Sequence, residues 1–402
     1  MKRHYYNRDN YIKGIIPFIN KDIIKVLIGQ RRVGKSYMLF QLMDYIKKEI
    51  KNPKIIYINK ELTEFSQIKT STDLTDYIKA NSENNKMNFL FIDEVQDIEN
   101  FEMALRSLLA EGNFDIYCTG SNAKMLSSDI ATYLSGRYIQ FNIHSLSYKE
   151  FLQFHKLQDD KEAFVKFIKF GGLPYLYHLE LEENTVFEYI ESIYNTIILR
   201  DVVARYNIRN ISFLEQLNHF LADNLGSLLS AKRISDFLKS QNINISTKLV
   251  LEYLQFLEDA FFIKKVKRFD IKGRKIFEIN DKFYFTDLGL RNSLQTFNMK
   301  DINKVLENIV FNKLFTDGFE VYIGKFDDKE IDFVAVKGDK TIYIQVAYMI
   351  PDEKVHDREF GNLLKIADNH RKIVVSMDDF AESNYKGVEH IHVRKFLLDN
   401  LN

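Results

Sequence analysis

The chain has little of what usually marks a secreted or membrane protein. Its 402 residues include a single cysteine, Cys118, which excludes an internal disulfide bond. No apolar run is long enough to cross a bilayer, and the basic amino terminus MKRHYYNRDNYIKG lacks the apolar segment of a secretory signal. These absences predict a cytoplasmic protein without a membrane partner.

The chain also lacks a charge excess and obvious linkers. Its 56 basic residues balance 56 acidic ones, so binding to nucleic acid would require a local basic patch. With four prolines and sixteen glycines, no stretch is marked as a linker, and domain boundaries must come from changes of pattern. The length and the 46% hydrophobic content predict a globular protein of two or three domains.

The strongest motif lies in the stretch IKVLIGQRRVGKSYMLFQL, residues 24–42. A strand over 23–28, a loop between Gly29 and Gly34, and a helix from Lys35 are the context that a phosphate-binding loop requires. Backbone N–H groups of such a loop turn inward, Lys35 reaches the terminal phosphates and the Ser36 hydroxyl binds Mg²⁺. We therefore predict an ATP site made by Gly29, Gln30, Arg31, Arg32, Val33, Gly34, Lys35, Ser36 and Tyr37.

Two further strands carry polar residues at their carboxyl ends. The apolar run in NFLFIDEVQDI predicts a buried parallel strand that ends at Asp93, a candidate Mg²⁺ ligand, and Glu94, a candidate general base. The next strand, in DIYCTGSNAKML, ends in Ser121 and Asn122, either of which is a candidate sensor of the γ-phosphate. An asparagine that simply caps a turn is the alternative interpretation of Asn122.

Taken together, GQRRVGKS, FLFIDEVQDI, CTGSNAKML and YLSGRYIQFNIHSLSYKEF resemble the AAA+-like ATPases that carry a DUF4143 region. GGLPYLY and ILRDVVARYNI extend this resemblance over almost the whole chain. The resemblance implies an α/β fold with an ASCE-type parallel sheet, in which the acidic strand lies next to the P-loop strand. It also implies that Arg137, in SGRY, is a finger or sensor for the γ-phosphate of its own chain or of a neighbour. A surface ion pair is the alternative for Arg137.

After the ATPase region, helical periodicity predicts a lid or connector over 151–210 and a winged helix over 211–298. The winged helix would contain three helices followed by a hairpin of FFIKKVKRFD and RKIFEIN. This hairpin is rich in basic residues, opposed by Asp270 and Glu278: Lys264, Lys265, Lys267, Arg268, Lys272, Arg274 and Lys275. The set is a candidate nucleic-acid contact, and protection of a sheet edge against aggregation is the alternative.

The last region, 299–402, has the order helix, three strands, helix, strand, which resembles the PD-(D/E)xK nuclease superfamily. The resemblance implies a restriction-endonuclease-like α/β domain with a metal site that includes Asp332 and Glu307. Gln345-Val346-Ala347 stands where the superfamily has Glu-x-Lys. An amide binds a hard cation less well than a carboxylate, and alanine cannot activate water, so we predict an inactive nuclease-like domain.

These patterns give one leading hypothesis and two alternatives. The leading hypothesis is a Mg²⁺-dependent ATPase domain, 1–150, whose nucleotide state switches accessory domains that bind nucleic acid. The first alternative is a nucleotide-gated protein-interaction module with negligible turnover. The second is a DNA-processing enzyme with a divergent site built on Glu307 and Asp332. The sequence does not define the oligomeric state.

Overall fold

A computed structural model of the chain describes residues 5–126, 134, 136–241, 243–277, 280–379, 381 and 383–401. The chain forms two compact units, the first made of residues 1–144 and 259–261 and the second of 145–258 and 262–402. The three regions predicted after residue 150 lie in the second unit except for residues 259–261, and the boundaries between them stay predictions. No helix in the described ranges combines the length and apolarity needed to cross a membrane.

The first unit is built around a five-stranded parallel sheet. Its strands are β1 (Ile24–Ile28), β2 (Lys54–Asn59), β3 (Asn88–Asp93), β4 (Phe114–Gly120) and β5 (Tyr138–Asn142). Its helices are α1 (Asp9–Ile15), α2 (Lys35–Glu49), α3 (Ser71–Asn81) and α4 (Phe101–Glu111). Every residue of β1, β3 and β4 is buried, as expected for strands covered on both faces. The predicted α/β fold is thus confirmed for this unit.

The strand order corrects one expectation. The sheet runs β2-β3-β4-β1-β5, so β4 separates the acidic strand β3 from the P-loop strand β1. Val26 of β1 pairs with Cys118 of β4, whose other edge pairs with β3 through Ile116 and Leu90. The expectation that the acidic strand lies next to the P-loop strand is therefore wrong. Both β3 and β4 are largely apolar and fully buried strands, so their pattern does not reveal which of them pairs with β1.

The second unit begins with helices and ends with an α/β region. The helices are α5 (Tyr148–His155), α6 (Lys161–Phe170), α7 (Glu183–Thr196), α8 (Ile211–Asp223), α9 (Ala231–Ser240), α10 (Thr247–Asp259), α11 (Leu288–Leu294), α12 (Ile302–Thr316), α13 (Glu353–Leu364) and α14 (Val393–Leu398). A π-helix over Ile197–Ala204 continues α7. The strands are β6 (Ile263–Val266), β7 (Arg268–Asp270), β8 (Lys275–Ile276), β9 (Lys282–Phe285), β10 (Glu320–Phe326), β11 (Lys329–Lys337), β12 (Lys340–Val346), β13 (Arg371–Ser376), β14 (Ser383–Tyr385) and β15 (Val388–His392).

The predicted hairpin of the winged helix is divided between two sheets. The predicted first strand is interrupted at Lys267. Before this residue, β6 pairs with β9, and after it, β7 pairs with both β8 and β10. The β7–β8 hairpin thereby joins an eight-stranded sheet of order β14-β15-β13-β12-β11-β10-β7-β8. The Ile323 N–H of β10 donates a hydrogen bond of 2.9 Å to the Lys267 carbonyl, which holds the start of β7 against this larger sheet. The winged-helix and nuclease-like assignments stay predictions.

Candidate nucleotide site

The predicted phosphate loop follows β1 and leads directly into α2, which begins at Lys35. Gly29 has a φ of +155°, and a Cβ atom there would lie 2.1 Å from the Ile143 carbonyl oxygen. Gly34, immediately before the helix, is left-handed with a φ of 95°. Glycine is needed at both positions, in the first because of the close approach and in the second because of the backbone conformation.

Lys35 lies inside this loop and is 4% exposed. Its Nζ donates hydrogen bonds to the carbonyl oxygens of Gly29, at 3.0 Å, and Gln30, at 2.9 Å, and lies 3.9 Å from Oε1 of Glu94. The Gln30 side chain is 2% exposed, and neither its Oε1 nor its Nε2 has a hydrogen-bond partner among the described residues. A buried ammonium and unsatisfied amide atoms at a helix amino terminus fit an anionic ligand such as a polyphosphate.

Asp93 ends β3 beside the predicted Mg²⁺ ligand Ser36. Its carboxylate accepts hydrogen bonds from the Ser36 hydroxyl, from Thr119 Oγ1 at 2.6 Å and from Tyr57 OH at 3.3 Å. Burial raises the pKa of Asp93, and the bonds from Ser36 and Thr119 act against that rise. Ser36 and Asp93 thus supply a hydroxyl and a carboxylate to one point, a donor set that suits Mg²⁺.

Glu94 follows with a left-handed backbone, φ 57°, and its N–H donates to Thr119 Oγ1 at 2.9 Å. Its Oε2 accepts hydrogen bonds from Gln96 Nε2 and from Ser121 Oγ, the latter at 3.1 Å. Burial acts to raise the pKa of Glu94, but the positive charges of Lys35 and Arg31, aided by these hydrogen bonds, hold it below its ordinary value. Glu94 is therefore ionised and held in one orientation near the phosphate loop.

Arg137 lies at the amino-terminal end of the parallel strands, opposite the end that carries the phosphate loop. Its carbonyl accepts a 2.9 Å hydrogen bond from Ile24, the first residue of β1, whereas the phosphate loop follows the last residue, Ile28. A strand of five residues spans roughly 16 Å, and the Arg137 side chain is exposed. The Arg137 backbone thus lies about one strand length from the phosphate loop of its own chain, and its role as a finger or sensor, in its own chain or a neighbour, stays a prediction.

The two sensor candidates differ in their contacts. Asn122 is buried, and its Oδ1 accepts a 2.8 Å hydrogen bond from the Lys124 N–H, which caps the short 3₁₀ turn Ala123–Leu126. Ser121, by contrast, donates to Glu94. The capping alternative describes this contact of Asn122, and which of the two side chains senses the γ-phosphate stays a prediction.

Three residues make contacts near the phosphate loop that sequence reasoning did not predict. Thr119 bonds to both acidic residues, and its only signal in the sequence is a hydroxyl near the end of an apolar strand. Arg31 pairs with Glu61 at 3.0 Å. Arg8 is 4% exposed and donates from Nη1 to the carbonyls of Val33, at 3.2 Å, and His144, at 2.9 Å. The partners of Arg31 and Arg8 are distant in the sequence, so no local pattern reveals them.

The other predicted residues of the loop differ in exposure. The Arg32 side chain is exposed, while Val33 is buried. Tyr37 is 46% exposed and forms edge-on ring contacts with Tyr5, at 6.3 Å, and Phe40, at 5.8 Å. Arg32 and Tyr37 therefore have side chains that reach solvent, and their predicted part in binding stays a prediction.

Only some of the seven basic residues predicted to contact nucleic acid have side chains that are exposed and without a described ion pair. Lys264 pairs with Glu258 and Lys272 with Asp327, each at 2.7 Å. The Arg268 guanidinium lies 5.2 Å from the ring centre of Phe277, and Lys265 is half-buried. A further group is exposed around the β7–β8 hairpin: Lys267, Arg274 and Lys275. Glu278, expected to oppose this group, lies outside the described residues.

The predicted remnant of a nuclease site is brought together by the fold. Glu307 on α12, Asp332 on β11 and Gln345 on β12 line one cavity of about 550 Å³. Asp332 accepts a 2.8 Å hydrogen bond from the Val346 N–H, and its own N–H donates to Gln345 Oε1 at 3.4 Å. The sequence did not predict Lys282, which pairs with Glu307 at 2.7 Å. No set of three or more His, Cys, Asp or Glu in the described ranges is placed to hold a metal ion.

The fold and the loop of the first unit define an AAA+-like P-loop ATPase domain, and residues 21–152 match the AAA domain family. Residues 161–301 match a domain of unknown function, DUF8612. The resemblance to proteins that carry a DUF4143 region stays a prediction.

The chain belongs to the same family as an uncharacterized protein of Haemophilus influenzae, with 36% identity over 405 residues, covering 99% of this chain and 100% of that protein. An uncharacterized protein of Methanocaldococcus jannaschii is 34% identical over 413 residues, covering 97% and 89%. AMPPCP-bound DnaA from Aquifex aeolicus matches 63% of this chain and 89% of its own, with 15% identity and a TM-score of 0.33.

Proposed function

We propose that this protein is a Mg²⁺-dependent ATPase whose nucleotide state controls binding of nucleic acid by the second unit. One observation carries the ATPase part: Ser36 and Asp93 meet at the phosphate loop, and Glu94 is held ionised beside Lys35. A hydroxyl, two carboxylates and a lysine in this arrangement are what phosphoryl transfer to water requires.

In this proposal each residue has a separate task. Lys35 and the loop N–H groups bind the phosphates, while Ser36 and Asp93 would hold Mg²⁺. The chemistry supplied by Mg²⁺, when bound, is neutralisation of charge on the phosphoryl oxygens. Glu94 orients the attacking water and receives its proton, and hydrogen bonds from Ser121 and Gln96 fix the direction of its carboxylate.

The nucleic-acid part rests on the exposed basic side chains of Lys267, Arg274 and Lys275. Three charges on one edge hairpin suit contact with a phosphate backbone, and such contact weakens steeply with salt. The ion pairs of Lys264 and Lys272 favour a second candidate, a nucleotide-gated module that binds a protein. In that case the hairpin charges would only protect the edge of the sheet.

The test measures phosphate release by the wild type and by Glu94→Gln, with and without duplex and single-stranded DNA and RNA, at low and moderate salt. We expect Glu94→Gln to lose about 100-fold in turnover, because a general base contributes at least that much, while it still binds ATP. Nucleic acid should stimulate the wild type at low salt. An unchanged rate in Glu94→Gln would refute the catalytic assignment.

A matched pair of triple variants tests the hairpin. Changing Lys267, Arg274 and Lys275 to Gln should remove the stimulation and leave the basal rate intact. The control changes three exposed lysines elsewhere in the second unit, Lys161, Lys239 and Lys340, and should keep the stimulation. A steady rate that is indifferent to DNA and RNA in all proteins would favour the protein-binding candidate.

A further inference from the structure

The cavity of the second unit is lined by acidic side chains from three different elements. Glu307 comes from α12, Asp332 from β11 and Glu359 from α13, and the amide of Gln345 lies among them. The cavity has a volume of about 550 Å³. It belongs entirely to the second unit, so it is separate from the nucleotide site and any role of it goes beyond the proposed function.

Negatively charged side chains outnumber positively charged ones around this cavity. Lys282 is shared by two carboxylates, Glu307 at 2.7 Å and Glu330 at 2.8 Å, and Arg358 pairs with Oε1 of Glu359 at 2.6 Å. Among the described residues at this place, four carboxylates therefore meet two cations: Glu307, Glu330, Asp332 and Glu359 against Lys282 and Arg358. One negative charge is uncompensated while Asp332 holds a proton and two when it ionises, which favours a positively charged ligand.

Glu359 provides a second, independent observation. Its side chain is 3% exposed and lines the cavity, yet its Oε2 has no hydrogen-bond partner within the part of the chain that the structure describes. A buried carboxylate oxygen without a donor is costly, and such atoms are rare in folded proteins. A donor that enters the cavity would satisfy this oxygen.

The geometry distinguishes between classes of cation. The described carboxylates are not grouped closely enough to hold a metal ion. A cavity of about 550 Å³ instead has the size of a pocket for a small organic molecule. We propose that this cavity binds a small organic cation with an ammonium or guanidinium group, which donates a hydrogen bond to Glu359 Oε2.

The environment of Asp332 adds a measurable consequence. Burial and the charge of Glu307 raise the pKa of Asp332, with a further contribution from Glu359, whereas Lys282 and the Val346 N–H act to lower it. Tyr284 and Glu330 are the other titratable groups at this cluster. A bound cation favours the ionised form of Asp332, so binding should release protons and strengthen as the pH rises.

Isothermal titration calorimetry of the full chain with agmatine, in moderate salt, tests this proposal. We expect one site in the wild type and a loss of affinity of about tenfold or more in Glu359→Gln, because one charge-assisted hydrogen bond is removed. Glu353→Gln, the same change at an exposed position of α13, should bind like the wild type. Thermal unfolding by circular dichroism verifies that each variant is folded.

Two further arms complete the test. Titration in buffers of different ionisation enthalpy should show proton release in the wild type, and Asp332→Asn should bind agmatine with that release abolished. Equal agmatine affinity in the wild type and Glu359→Gln, or the absence of any binding to the wild type, would overturn the proposal. Saturation by Mn²⁺ alone, with the same dependence on Glu359, would overturn the assignment to an organic cation.

Discussion

Each unit contains a buried lysine beside carboxylates, and the two lysines are held differently. Lys35 donates hydrogen bonds to two neutral carbonyl oxygens, and its Nζ lies 3.9 Å from Oε1 of Glu94. Lys282 instead lies 2.7 Å from Glu307 and 2.8 Å from Glu330. Two backbone carbonyl oxygens hold the Lys35 ammonium at the phosphate loop, whereas two carboxylates neutralise Lys282. The comparison predicts that one lysine serves binding and the other serves stability.

The largest expected effect is on stability, in Lys282→Met. Burial acts to lower the pKa of Lys282, but Glu307, Asp332 and Glu330 outweigh it and hold the pKa above its ordinary value. Removing the cation leaves buried carboxylates without a partner, so the free energy of unfolding should fall by about 3–5 kcal/mol. Urea denaturation measures this change.

A double variant sharpens the same prediction. Lys282→Met combined with Glu307→Gln removes both members of the 2.7 Å pair and should recover part of the lost stability. ATP-dependent thermal stabilisation should persist in both proteins, because the pair belongs to the second unit. A loss below about 1 kcal/mol in the single variant, as for an exposed pair, would contradict a stabilising role.

The second prediction concerns Lys35→Ala, which should weaken ATP binding by about 100-fold through the loss of charge-assisted hydrogen bonds to phosphate. Binding of a fluorescent ATP analogue gives the affinity directly. Arg32→Asn is the matched control, because it removes a positive charge from the same loop at an exposed, left-handed position that asparagine tolerates. Equal losses in the two variants would show that net loop charge, and not the position of Lys35, determines affinity.

What could be predicted from the sequence depended on the range of the interactions. The phosphate loop and the acidic pair at Asp93 and Glu94 are local patterns, and the structure brings them together as expected. The order of the strands, the position of Arg137 at the end of the strands opposite the phosphate loop and the separation of β6 from β7 depend on pairing between remote segments. No window of the sequence contains that information.

Lys282 illustrates the same limit inside a site. The order of elements placed Glu307, Asp332 and Gln345 together correctly, because one motif order defines their positions. Lys282 comes from β9, which precedes that motif and pairs with β6 in a different sheet. A basic residue that enters a site from outside the motif has no spacing rule, so only the folded chain shows that it neutralises Glu307.

The smallest expected effect is a change of pH dependence in Asp332→Asn. Burial and the charge of Glu307 raise the pKa of Asp332 well above its ordinary value of 3.8, so the native state holds a proton that the unfolded chain loses. Wild-type stability should therefore fall as the pH rises from 3.8 through the native pKa, and Asp332→Asn should lose less stability between pH 5 and pH 8. Asparagine can still accept the Val346 hydrogen bond.

Glu94→Gln is the control with the opposite sign. The pKa of Glu94 is held below its ordinary value, so its ionised form contributes stability that is present above pH 4.5 and lost as the pH falls through the native pKa. Glu94→Gln should therefore lose stability relative to the wild type at pH 8, where Asp332→Asn should gain it. Urea midpoints of the three proteins at pH 5 and pH 8 decide the matter. Parallel pH profiles for all three would mean that the surroundings shift the pKa of neither carboxylate. The contrast between the two sites would then depend only on the distances from each lysine to its carboxylates.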